Sequence, residues 1–140
     1  MFSKSTLLGT LFGAITFNLL GWGIYAGLAG EYFSAQMLVE IKEAMDPMMI
    51  GLGCLLMSFA MANLYSRWSR NGYGFNSGLS FGLWIGFFAG FGIGCMQYGN
   101  MHLMRLEGVV IDGLIALPFY ALVGGSIGWA FQLTSAKNAA

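Results

Sequence analysis

Four polar side chains interrupt or border the long apolar stretches of this chain: Asn18, Asn63, His102 and Asp112. They are the candidates for ion or ligand contacts. Asp112 stands in Val109-Val-Ile-Asp112-Gly-Leu. A charged group in hydrocarbon costs about 2.5–3.5 kcal/mol on insertion scales. Three readings follow for Asp112: a place in wet headgroups, a pairing with Arg105, or a carboxylate that binds a proton or cation. Asn18 is central in the first apolar stretch. It suits an interhelical hydrogen bond, worth about 0.6 kcal/mol on average in membranes, or a pore or substrate contact. Asn63 and Ser58 divide in the same way. His102 is an interfacial polar residue, or a pH-sensing or metal-contacting group with Glu107 or Asp112.

The sulfur residues offer less. Met96, Met101 and Met104 are soft-metal ligands by type, but their spacing is irregular and packing is their expected role. Cys54 and Cys95 form no Cys-x-x-Cys pair. Both fall toward the same ends of their spans, so a disulfide is conceivable in depth, and two buried inert thiols are expected. A single His excludes a bis-His haem site within one chain. No nucleophile–base pair, phosphate loop or paired intramembrane carboxylate is visible. No enzyme, metal or cofactor is expected.

The elements that must position these groups are membrane helices. Of the 140 residues, 57% are hydrophobic and 9% charged, against about 25% charged in soluble domains. No basic stripe exists for nucleic acid. One stretch organises the rest: Gly78, Gly82, Gly86, Gly90 and Gly94 recur at every fourth position. Interior Gly costs about 1 kcal/mol against Ala in a water-exposed helix. In a bilayer the backbone must satisfy itself, so the helix forms anyway. The glycines then make a bare strip where another helix can approach backbone to backbone. That strip packs within the chain or is itself an interface. Phe81, Trp84, Phe88 and Phe91 are assigned to the opposite face. Gly9 and Gly13 (with Gly21), and Gly124 and Gly128, are further packing positions.

The predicted fold is all-α, a single polytopic membrane domain of four spans at about 7–28, 48–65, 78–98 and 109–133. Lys4 and the following apolar run resemble a signal peptide, but the run to Leu28 exceeds a usual h-region of about 7–15 residues. It is read as an uncleaved span, with Trp22 and Tyr25 at its interfacial end. Residues 31–46 place Phe33, Met37, Leu38, Ile41 and Met45 at helical spacing, which predicts a short amphipathic helix in the first outer loop. Asp46-Pro47 is a helix start. Pro118 should kink the fourth span and free the carbonyl of Leu114. The basic residues place Lys4, Arg67, Arg70 and Lys137 inside and Lys42 and Arg105 outside, which predicts cytoplasmic termini in an inner membrane. Gly9-Thr-Leu-Phe-Gly13 matches Gly78-Leu-Ser-Phe-Gly82, a weak sign of a parallel repeat.

Two stretches carry a resemblance. Phe17-Asn-Leu-Leu-Gly21-Trp22-Gly-Ile-Tyr25, and Met96-Gln-Tyr98-Gly99-Asn-Met101-His-Leu-Met104-Arg-Leu106 followed by Asp112, resemble a family of small four-helix membrane proteins of Bacteroidetes-type bacteria. More loosely, the first span resembles the DUF1761 family, from which it departs in lacking a Pro soon after Tyr25. The resemblance implies location and fold, and no active site. The expected function is that of a structural or accessory subunit in a membrane complex. The alternatives are a small homo-oligomeric channel or transporter, and a lipid-binding protein or enzyme with a lateral cavity lined by Trp22, Tyr25, Tyr98 and His102. The expected partners are the lipid bilayer and other copies or other membrane subunits.

Overall fold

The computed structural model describes residues 3–39, 46–69, 72–101 and 103–138. Its elements are helical: α1 (Lys4–Leu28), α2 (Gly30–Gln36), α3 (Pro47–Trp68), α4 (Phe75–Met101) and α5 (Leu106–Asn138). Four of them are long and apolar enough to cross a membrane. At about 1.5 Å rise per residue, 20 residues cover a hydrocarbon core of about 30 Å. Each helix extends a few residues past its hydropathy boundary. Polar flanking turns keep the helical hydrogen-bond pattern although they are not apolar.

Local chemistry sets several of these ends. Ser3 caps α1, its hydroxyl accepting from the Thr6 amide at 3.1 Å. Asp46 caps α3, accepting from the amides of Met48 and Met49 at 3.1 and 3.2 Å, with Pro47 following where no amide is needed. Two segments are π-helical, Trp22–Leu28 in α1 and Phe87–Ile93 in α4. α5 runs through Pro118 as one helix, with the ring exposed.

α5 is the hub. It packs along α4 on one side and along α1 on the other, and α1 in turn packs on α3. Contact between α3 and α4 is slight. The fully buried Val123, Ile127 and Ala130 all belong to α5, and Tyr65 of α3 joins them in the core. The glycine strip of α4 lies against the α5 backbone. Gly78 faces the carbonyl of Gly124, Gly82 that of Tyr120, and Gly86 that of Ala116. Gly90 is next, where an added Cβ would sit 2.9 Å from the Gly113 Cα; at Gly94 it would meet a Val109 methyl at 3.2 Å. Gly128 faces the Gly74 carbonyl and the Tyr65 hydroxyl. On α1, Gly9 abuts the Phe131 ring and Gly13 abuts Ile127 and Ser58. The glycines of α1 and α4 therefore both close on α5, inside the chain.

Three expectations need correction. Phe81 does not share a lipid face with Trp84 and Phe88: it is buried, 5.5 Å from Tyr65 ring to ring, while Trp84 and Phe88 are exposed. Phe91 covers Gly113 of α5. Phe81 flanks Gly82 on the side that faces Tyr65 of α3, and Phe91 flanks Gly90 against α5, whereas Leu83 and Phe87, also next to strip glycines, are exposed. Gly21 does not continue the packing face of Gly9 and Gly13, and nothing lies within 4 Å of it. The helix expected over 31–46 stops at Gln36, where Met37 turns extended. Leu38 then donates to the Leu103 carbonyl and Arg105 to the Gln36 carbonyl, each at 2.9 Å. Pairing with the 103–105 connection takes the hydrogen bonds that further helix would have used. Residues 40–45 lie outside the described residues.

Candidate functional site

The first side chains to consider lie where α1, α3 and α5 diverge, toward the end of the bundle that carries α2. There they leave a cavity of about 330 Å³. α1 contributes Phe17, Asn18, Gly21, Trp22, Tyr25 and Ala26; α3 contributes Ile50 and Cys54; α5 contributes Phe119 and Tyr120. The small residues Gly21 and Ala26 leave the space. Phe17 forms the floor, edge-on to Phe119 and Tyr120 with ring centroids 5.0 and 5.3 Å away. Such edge-to-face contacts hold aromatic walls in defined orientations. Trp22, Tyr25, Ala26 and Ile50 of its wall are exposed, so the cavity is open to the surroundings of the bundle.

Two polar side chains of the wall, Asn18 and Tyr25, donate hydrogen bonds. Asn18 directs its amide toward the Cys54 sulfur at 4.0 Å, a weak bridge from α1 to α3. Tyr25, on the π-helical segment, donates its hydroxyl to Asp112 Oδ1 at 2.6 Å. That length lies in the charge-assisted O–H···O⁻ range of about 2.5–2.7 Å. The Tyr25 ring also stacks on Phe33 of α2 at 5.3 Å and meets Phe119 at 6.1 Å. Asp112 is half-buried and sits seven residues before Phe119, on the same face of α5. Among the described residues, its hydrogen-bond partner is Tyr25 and no basic side chain pairs with it. The pairing with Arg105 is thus replaced by a phenol 87 residues away in sequence.

Above the site, α2 is strapped down. Gly108, at the start of α5, lies under the Gln36 side chain and the Met104 sulfur, where a Cβ would meet each at 3.0 Å. Phe33 is buried beneath this strap. The side-chain oxygen of Gln36 is buried without a partner among the described residues.

The other candidates do not join the cavity. Asn63 donates to the Phe59 carbonyl of its own helix at 2.9 Å. His102 lies outside the described residues, so its proposed partnership with Glu107 or Asp112 does too. Cys54 is buried but Cys95 is exposed, and both are free thiols. Cys95 therefore departs from the expected buried pair, because its face of α4 points away from the α5 seam. Met104 packs over Gly108, while Met96 and Met101 are exposed. Among the described residues no group of three His, Cys, Asp or Glu comes together. The lateral cavity expected from Trp22, Tyr25, Tyr98 and His102 has Trp22 and Tyr25 in its wall. Phe119 and Tyr120 were missed as wall residues. Their spacing of seven and eight from Asp112 was the available signal.

Chemically, the site can hold an apolar segment among aromatic and aliphatic walls. Its wall also carries the Asn18 amide and the side chains of Tyr25 and Tyr120. No family model matches the chain, and neither a curated protein nor a solved structure matches it.

Proposed function

We propose that this is a non-enzymatic multi-pass protein of the bacterial inner membrane that binds a lipid-soluble molecule entering sideways from the bilayer. The observation that carries this reading is the open cavity between α1, α3 and α5, with aromatic walls and few polar groups. Its volume falls at the lower end of the range for small-molecule sites, about 300–1,000 Å³. Lys4, Arg67, Arg70 and Lys137 support cytoplasmic termini by the positive-inside rule, which sets the cavity in the outer half of the membrane. The resemblance to small four-helix bacterial membrane proteins, and loosely to the DUF1761 family, agrees with that location.

A second reading, an accessory subunit or homo-oligomer, rests on α3. Met48, Met49, Leu52, Leu55, Leu56 and Leu64 are all exposed there, and Gly51 and Gly53 have nothing within 4 Å. Because the glycine strips of α1 and α4 are occupied by α5, a partner would dock on this face instead.

Native mass spectrometry of the protein extracted in mild detergent separates the two. The binding reading expects a single small-molecule adduct per chain that Gly21→Trp removes, since a side chain at Gly21 would occupy the cavity. Adduct-free protein in fixed ratio with foreign subunits overturns it in favour of the accessory reading.

A further inference from the structure

Resting on the reading of the cavity as a binding site, we infer that its ligand is uncharged and carries a hydroxyl on an apolar body, with Asn18 and Tyr120 as the hydroxyl's partners. The wall decides the charge. Among the described residues, no Asp, Glu, Lys, Arg or His lines the cavity. Asp112 is outside that wall, bonded to Tyr25 at an exposed edge. An ionic head in the cavity would give up water without meeting a counter-charge, which costs far more than burying a neutral polar group. The apolar body follows from Phe17, Ile50 and Phe119, which have no side-chain hydrogen bond to give or take.

The hydroxyl follows from what the wall leaves unmet. Tyr25 and Tyr65 both spend their hydroxyls in hydrogen bonds. The Tyr120 hydroxyl has no such partner among the described residues. The Tyr120 ring stands edge-on to Phe17 at 5.3 Å and 88°, which holds it in the cavity wall. Asn18 spends one amide hydrogen on the weak contact to Cys54, and its side-chain oxygen has no partner among the described residues. Polar groups facing hydrocarbon find no water there. A ligand hydroxyl both donates and accepts, so it suits the Asn18 oxygen and the Tyr120 phenol together. A ketone or ester only accepts, and would leave the Asn18 oxygen unmet. Size follows from volume. A water-sized group takes about 30 Å³ in a liquid, so a cavity of about 330 Å³ holds on the order of eleven such groups. A ten-carbon alcohol has that bulk.

Trp22 lies in the wall, whereas Trp68, Trp84 and Trp129 do not, and this supplies the test. Delipidated protein in neutral detergent is titrated with ω-bromodecanol, bromodecane, ω-bromodecylammonium or ω-bromodecanoate, whose bromine quenches a tryptophan it touches. The signal is the saturable quenching that Trp22→Phe removes. The readout is the ratio of half-saturation concentrations for bromodecane and ω-bromodecanol, compared between parent and variants so that detergent partitioning cancels. A hydrogen bond is worth about fivefold in affinity, so Tyr120→Phe and Asn18→Leu should each lower the ratio by about that factor. Saturable quenching by bromodecane in both variants shows that the cavity is still formed. A ratio that neither variant changes overturns the hydroxyl assignment while leaving the cavity a binding site. Saturation by the ammonium or the carboxylate probe at concentrations as low as the alcohol's overturns it too. Saturation by none of the four overturns both readings. Dioctanoylglycerol and heptylphenol, added as competitors, distinguish a glycerolipid's free hydroxyl from a phenol as the natural source, and displacement by either supports the assignment.

Discussion

Gly78 and Gly124 face each other reciprocally: a Cβ added to Gly78 would strike the Gly124 carbonyl oxygen, and one added to Gly124 would strike that of Gly78. Two helices meet here through backbone alone. Contact at this range adds dispersion and Cα–H···O interactions that a side chain would prevent.

The first prediction concerns this seam. Gly86→Leu would drive a side chain into the Ala116 carbonyl and the Leu117 Cα. Backbone cannot yield as a flexible side chain does, so the cost should exceed the usual 1–3 kcal/mol of overpacking, at about 3 kcal/mol or more. Gly51→Leu, where nothing lies within 4 Å, should be near neutral. Thermal unfolding of both variants in detergent checks the contrast, and equal melting temperatures would refute the seam.

At the opposite end of the bundle from the cavity, the buried Tyr65 hydroxyl donates to the Gly74 carbonyl and accepts from the Gly74 amide, both at 3.1 Å. One phenol thus satisfies both backbone groups of the residue that precedes α4. Tyr65→Phe should cost about 1–3 kcal/mol, because the Gly74 amide is left unmet, while its carbonyl keeps the bond from the Gly78 amide. Tyr25→Phe, removing a hydroxyl from the more open site, should cost less. Chemical or thermal unfolding of the two variants side by side gives the ranking.

Ser58 behaves in the other direction. It is fully buried, and its hydroxyl has no partner among the described residues. Ser58→Ala removes an uncompensated polar group without opening a large void. The variant should be as stable as the parent or gain up to about 1 kcal/mol. A clear loss in melting temperature would mean that the hydroxyl has a partner after all.

The two thiols should differ in labelling. A maleimide too large for the cavity should modify the exposed Cys95 and spare Cys54, which is buried in the cavity wall. Cys95→Ala should remove most of the label. Modification of Cys54 should rise on denaturation, and its rapid labelling in the folded protein would contradict the packing of α1 on α3.

Much of the architecture could be read directly from residue order. Long apolar runs define spans because hydrocarbon accepts little else, and Asp46-Pro47 marks a helix start by local chemistry alone. Glycine at every fourth position announces a close approach, but period alone does not name the helix that approaches. Asp112 stood out because its charge is expensive wherever it is dry. Its partner Tyr25 was invisible, since the two meet only after three turns of the chain bring α1 beside α5. The stop at Gln36 was equally hidden. The apolar spacing continues past it, and the halt comes from hydrogen bonds to residues 103 and 105, far along the chain.

The central place of α5 also has a consequence in time. Ribosomes deliver the spans in order, and the helix on which α1 and α4 both close is delivered after them. Until it arrives, α4 has no glycine partner and only slight contact with α3. The earlier spans must wait in the lipid as separate rods, with α1 and α3 alone able to pair. A ribosome that stops before residue 106 leaves behind pieces of a bundle, and closure begins when the fourth crossing is made.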